Sequence, residues 1–79
     1  MNRTAAFDEI QSVLCDQFGV EKENITEHAN LREHVGLDSL DLIELLSKME
    51  ERFGGEVSDG EVREVRTVGD VLDLVAKMA

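Results

Sequence analysis

The string "GLDSLD" holds the residues whose types and spacing could do chemistry, because Ser39 stands between Asp38 and Asp41 at the threshold of an apolar segment. A nucleophilic serine needs a general base that is oriented by a third group, and donors for an oxyanion. The histidines are His28 and His34, and the chain has no glycine-rich turn of the hydrolase type. It is also too small to enclose a substrate. Self-contained serine catalysis is therefore not expected.

A helix start gives Ser39 a different chemistry. With Asp38 as the N-cap, its carboxylate would accept from a backbone N–H near Asp41, and Ser39 would be the first helical residue. The first N–H groups of a helix lack partners and its dipole presents about half a positive charge, so an anion attached to the serine oxygen is favoured. A phosphate ester would fit there, although a serine at this position is most often only a cap.

The elements that must position Ser39 are predicted to be helical. Apolar residues recur at intervals of three and four, which predicts an all-α fold, a small bundle of three longer helices plus one short third helix. The predicted helices run over about residues 4–18, 39–53 and 59–65, and a closing helix follows the cap at Thr67, with its buried face extending from Val68 to Met78. "SDGE" and "TVGD" predict capping boxes at Ser58 and Thr67, and Met78 is expected on the buried face of the closing helix.

The segment 19–37 shows no sustained period and is long for a connection in a small domain. Val20, Ile25, Leu31 and Val35 are spaced widely enough to pin it onto a helical core. We expect a fixed loop with a turn near residues 29–32, which positions something at the start of the second long helix.

The composition limits the class of protein. The 79 residues suit a single domain over 1–79, and 18 acidic against 8 basic residues give a net charge of −10. Such a charge repels nucleic acid and anionic membranes and favours partners with basic patches. Cys15 stands alone, so neither an intramolecular disulfide nor a metal site is expected. With no apolar run long enough for a membrane span and no apolar leader in "MNRTAAFDEI", we expect a cytoplasmic protein.

The segment "GLDSLDLIELLSKMEERFGGEVSDGEVREVRTVGDV" closely resembles the acyl carrier protein family, in which a D-S-L motif opens the second helix and its serine carries 4′-phosphopantetheine. The resemblance covers nearly the whole chain, from the opening amphipathic helix that ends in "QFGV" to the closing "TVGDVLDLV". The D-S-L triplet alone is a weak signal. Its combination with length, charge and segment order is specific.

This resemblance implies that a phosphopantetheinyl transferase joins the arm from coenzyme A to Ser39, with Asp38 and Leu40 as its flanking residues. The protein would then be a monomeric, non-catalytic carrier of acyl thioesters in fatty-acid, polyketide or related biosynthesis. Acyl-transferring and condensing enzymes with arginine and lysine patches would be its partners. The residues assigned to that docking surface are Asp41, Ile43, Glu44, Glu50 and Glu51.

An apolar acyl chain would also need shelter from water, since each buried methylene is stabilised by about 0.8 kcal/mol. A cleft between helices could supply that shelter, although plain core packing explains the same apolar residues equally well. The candidate lining residues are Leu46, Val62, Val65 and Val68, with Leu40 and Ile43 beside them.

Some residues depart from the family's pattern. Lys48, Arg63 and Arg66 stand where acidic or neutral residues are more usual, which predicts a narrower acidic patch near Ser39. His34 stands where an acid often precedes the motif, and could lie close to a phosphate or be an ordinary loop residue. The alternative function is an acidic helical interaction module that binds a basic protein surface without a prosthetic group.

Overall fold

In a computed structural model, residues 3–78 are described, apart from the side chain of Met78, so the prediction for that side chain lies outside the described residues. The helices are α1 (Arg3–Phe18), α2 (Ser39–Phe53), α3 (Asp59–Glu64) and α4 (Val68–Met78). The predicted all-α bundle with one short third helix is thus confirmed. A 3₁₀ helix, Lys22–Asn24, in the long loop was not predicted.

One hydrophobic core holds the bundle together. Helices α1, α2 and α4 pack against one another in pairs, while α3 contributes no buried residue. The largest side chains that are withdrawn completely from solvent include Ile10, Leu14, Leu45, Met49 and Leu72. Across residues 3–78, no helix is both long enough and apolar enough to cross a bilayer.

Helix α2 begins and ends at defined signals. The side chain of Asp38 accepts from the backbone N–H of Asp41, and Asp41 returns the contact to the N–H of Asp38. At the other end Gly54 adopts a left-handed conformation with φ of 78°, which favours glycine, and its N–H donates to the carbonyl of Glu50. The sequence therefore fixes where this helix starts, and with it the place of Ser39.

The two predicted capping boxes after α2 are both present. Ser58 Oγ accepts from the N–H of Glu61 at 3.2 Å, and the Glu61 carboxylate accepts from the N–H of Ser58 at 3.1 Å. Thr67 Oγ1 accepts from the N–H of Asp70 at 3.2 Å, and the Asp70 carboxylate accepts from the N–H of Thr67 at 3.0 Å. These local bonds let α3 and α4 start without proline.

The loop before α2 is fixed onto the rest of the bundle, as predicted. Ile25 and Leu31 are buried, while Val20 and Val35 are half-buried against the core. Main-chain hydrogen bonds tie the loop to the start of α4: the N–H groups of residues 68 and 69 donate to the carbonyls of residues 29 and 27 at 3.1 and 2.8 Å.

Candidate functional site

Ser39 is the first residue of α2, and its side chain is exposed. Asp38 Oδ1 accepts from the N–H of Asp41 at 2.8 Å, so the predicted N-cap is observed. The early N–H groups of α2 and the positive end of its dipole therefore lie beside the serine oxygen. An anionic group esterified to Ser39 would be stabilised there and would remain open to solvent.

A cation also reaches the serine. Nη2 of Arg32 donates to Ser39 Oγ at 2.7 Å, and both side chains are exposed. No motif in the sequence indicates a functional role for Arg32. A guanidinium in this place can neutralise negative charge that is added at the serine oxygen.

The turn of residues 30–34 positions Arg32. Asn30 Oδ1 accepts from the N–H groups of Arg32 and Glu33, both at 2.9 Å, and the N–H of Asn30 donates to His34 Nδ1 at 2.8 Å. The N–H of Leu31 donates to the carbonyl of residue 66 at 2.9 Å, which anchors this turn to the chain between α3 and α4. Asparagine at the head of a turn is a recognisable signal, since its side chain mimics the backbone. The approach of Arg32 to Ser39 has no such signal, because it depends on the tertiary fold.

No general base contacts the serine. Within residues 3–78, the hydrogen-bond partner of Ser39 Oγ is Arg32, and neither an imidazole nor a carboxylate is bonded to that oxygen. His34 uses Nδ1 as an acceptor inside its own turn. A base bonded to the hydroxyl is what activates a nucleophilic serine.

The structure separates the predicted acidic docking residues into two kinds. Glu44 and Glu51 are exposed. Asp41 is half-buried within the cap of α2, and Glu50 is half-buried with Oε2 accepting from the N–H of Val57 at 3.0 Å. Two of the four carboxylates therefore hold the fold together as well as contributing charge.

Two large apolar side chains are exposed immediately after Ser39. Leu40 has 77% of its surface accessible and Ile43 has 52%. They lie on the same side of the helix start, three residues apart, beside the exposed Glu44. Exposed apolar side chains near exposed carboxylates are typical of a surface that binds a protein with both apolar and basic residues.

Two cavities adjoin the site between α2 and α3. The first, of about 560 Å³, is bordered by Ser39 and reaches Ile43, Val62 and Val65. The second, of about 400 Å³, shares Ile43 and Val62 with it and adds Leu46. Of the predicted acyl-pocket residues, Leu46, Val62 and Val65 line one or both cavities. Val68 is fully buried in the core and lines neither of the two.

Comparison with known proteins points in one direction. The family model described as "Phosphopantetheine attachment site" matches residues 8–75. An acyl carrier protein of Saccharopolyspora erythraea is 46% identical over 83 aligned positions, which cover 100% of this chain and 87% of that protein. The crystal structure of an acyl carrier protein from Thermotoga maritima superimposes with a TM-score of 0.87 at 28% identity, over 99% of this chain and 91% of that one.

Proposed function

Since this chain belongs to the acyl carrier protein family, we propose that Ser39 is the residue that holds its 4′-phosphopantetheine arm and that residues 1–79 form a single carrier domain. The chain carries acyl intermediates as thioesters on that covalent arm in fatty-acid, polyketide or related acyl-transfer biosynthesis.

The assignment rests on the groups that surround Ser39 Oγ. The hydroxyl is exposed at the first residue of α2, with Arg32 donating to it at 2.7 Å. The arm supplies a thiol that holds the acyl group. The residues of this chain supply a place for the phosphodiester, in which the early N–H groups of α2 and the Arg32 guanidinium face the added negative charge.

Partner enzymes would approach through a docking surface of Leu40, Ile43, Glu44 and Glu51. The apolar pair supports this choice because it is exposed beside the serine, and the two carboxylates because they have no role in a helix cap. A phosphopantetheinyl transferase would use the surface first, to join the arm from coenzyme A, and acyl-transferring and condensing enzymes would use it afterwards. The chain itself would be non-catalytic, monomeric and cytoplasmic.

The cavities between α2 and α3 would shelter the acyl chain. Ile43 and Val62 border both cavities, so a chain that entered beside Ser39 could extend from one into the other. Each methylene that leaves water there contributes about 0.8 kcal/mol.

The attachment is tested by coexpression with a broad-specificity phosphopantetheinyl transferase, followed by intact mass measurement. The wild-type chain should gain the mass of one arm, and Ser39→Ala should gain none. Ser47→Ala is the matched control, because Ser47 is another exposed serine of α2 and its loss should leave modification unchanged. Modification of Ser39→Ala, or an unmodified wild type, would contradict the assignment and favour an interaction module without a prosthetic group.

A further inference from the structure

Three of the five arginines border the 560 Å³ cavity beside Ser39. Arg32 lies on the turn before α2, Arg63 on α3, and Arg66 on the connection from α3 to α4. The only carboxylate in the cavity's lining is that of Glu33, so charged side chains there sum to three positive against one negative. In a protein of net charge −10, this is a local reversal of sign.

The other two arginines serve the fold. Arg3 pairs with Glu27 and Asp73, and Arg52 pairs with Glu9. Among residues 3–78, no carboxylate oxygen lies within 4.0 Å of the guanidinium groups of the three cavity arginines.

The cavity arginines therefore keep donors for a ligand. Arg32 donates to Ser39 Oγ, and Arg66 Nη1 donates to the carbonyl of Arg63 at 2.9 Å. A guanidinium has five N–H donors, so these two bonds leave most of them unused. The guanidinium of Arg63 has no hydrogen-bond or ion-pair partner within the described residues.

Beside the polar residues Asn30 and Ser39, the remaining wall of the cavity is apolar and is formed by Leu31, Leu42, Ile43, Val62 and Val65. An apolar wall with a cationic rim fits a ligand that has a hydrocarbon stem and an anionic end. A saturated chain without a polar end would fill the apolar wall but leave the free donors of the exposed guanidinium groups to water, whereas a terminal carboxylate would accept from them. The lining would therefore favour an acyl group with an anionic end over one of equal length without it.

We propose that this cavity binds acyl cargo that ends in a carboxylate, the half-thioester of a dicarboxylic acid, with Arg63 and Arg66 donating to the far carboxylate. The proposal rests on the proposed attachment of the arm to Ser39. The second cavity does not suit the same anion. Its lining holds two carboxylates, Glu50 and Asp59, against one basic side chain, Arg63.

The test compares four forms of the full-length protein, loaded through amide-linked analogues so that the cargo cannot hydrolyse: the arm alone, hexanoyl, adipyl, and the methyl ester of adipyl. Hexanoyl and adipyl have the same number of carbons and differ in the terminal carboxylate. Intact mass confirms loading first. NMR then follows the side-chain N–H of Arg63 and the methyl groups of Val62, a residue that lines both cavities.

We expect adipyl to shift the Arg63 N–H resonance, and the arm alone, hexanoyl and the methyl ester to leave it in place. In Arg63→Gln the ratio of adipyl held in the cavity to adipyl extended into solvent, read from the Val62 methyl groups, should fall about two- to threefold, the factor that one exposed charge pair gives. Arg52→Gln is the matched control, since it removes the same charge outside the cavity, and it should leave the ratio unchanged.

The outcomes separate the two proposals. A chain that gains no mass at Ser39 contradicts the attachment itself. If the arm alone shifts the Arg63 N–H resonance, the arginines bind the phosphodiester. That result overturns the cargo inference and leaves the attachment intact. The cargo inference is also overturned if hexanoyl and adipyl shift the Arg63 N–H resonance equally, or if Arg63→Gln leaves the ratio read from the Val62 methyl groups unchanged.

Discussion

The guanidinium of Arg32 donates a hydrogen bond of 2.7 Å to Ser39 Oγ, so a cation stands at the oxygen through which the arm is proposed to be joined. In the unmodified protein the acceptor is a neutral hydroxyl. Once that oxygen belongs to a phosphodiester, the non-bridging phosphate oxygens beside it carry a negative charge, and a guanidinium pairs with phosphate through hydrogen bonds in which both groups are charged. Arg32 should therefore favour the modified state.

The first prediction concerns Arg32→Gln. Modification should raise Tm more in the wild type than in this variant, because glutamine keeps donors but lacks the charge. Both groups are exposed, so the difference should be about 0.5 kcal/mol, or roughly 2–4 °C. Calorimetry on the apo and holo forms measures it at low salt, and about 1 M salt should remove it by screening. Arg52→Gln serves as the control. If modification raises Tm equally in the wild type, Arg32→Gln and Arg52→Gln, Arg32 does not bind the phosphodiester.

How much of this site the sequence could predict depends on the distance over which each contact acts. The caps at Asp38, Ser58 and Thr67 were predictable because each bond joins residues three apart, within one helical turn. The Arg32–Ser39 bond was not, since it crosses a loop without periodicity whose path is set by main-chain bonds to residues 66–69. Fold class and the N-cap of α2 thus follow from local patterns, whereas the cationic cavity requires the tertiary structure.

Glu50 gives a second example. The resemblance to the family assigned it, with Glu44 and Glu51 of α2, to one acidic docking set. Its bond to the N–H of Val57 depends on how the chain returns after Gly54, which no periodicity describes.

The second prediction separates these acidic roles. The double variant Glu44→Gln with Glu51→Gln should lower the kcat/KM of the phosphopantetheinyl transferase several-fold at low salt and leave Tm unchanged, since exposed charges mainly steer association. Glu50→Ala should instead lower stability by about 1 kcal/mol, because the N–H of Val57 loses its acceptor. Transferase kinetics and thermal melts measure the two effects. A double variant that melts early, or one that is modified at the wild-type rate, would contradict the assignment.

The third prediction concerns the contact that fixes the long loop. The N–H of Gly69 donates to the carbonyl of Glu27 at 2.8 Å, and a Cβ on Gly69 would lie only 3.1 Å from that same oxygen. The oxygen is main chain and cannot rotate away, so Gly69→Ala should displace the loop slightly. The substitution should lower the free energy of unfolding, measured with urea, even though alanine has the higher helix propensity.

Gly60→Ala is its matched control. The nearest atom to a Cβ on Gly60 is Ser58 Oγ at 4.0 Å, and the residue lies inside α3. This substitution should be neutral or stabilise the protein by about 0.5–1 kcal/mol, because alanine has a higher helix propensity than glycine. Similar losses in the two variants would show that the close approach at residue 69 is not what matters.

The fourth prediction follows from the capping box of α3. The backbone N–H of Ser58, and then its hydroxyl, hold the pKa of Glu61 below the ordinary value of 4.5. A carboxyl whose pKa is lower in the folded state stabilises the fold at pH above its unfolded pKa, and that stabilisation is lost as pH falls through the folded pKa. The wild type should therefore exceed Glu61→Gln in free energy of unfolding by a constant amount at neutral pH, and the difference should narrow below about pH 4.5. Urea titrations across that range measure it.

Ser58→Ala, which removes the hydroxyl and keeps the backbone N–H, should weaken this pH dependence without abolishing it. A difference between wild type and Glu61→Gln that is the same at every pH would show that the charge of Glu61 does not contribute to this cap.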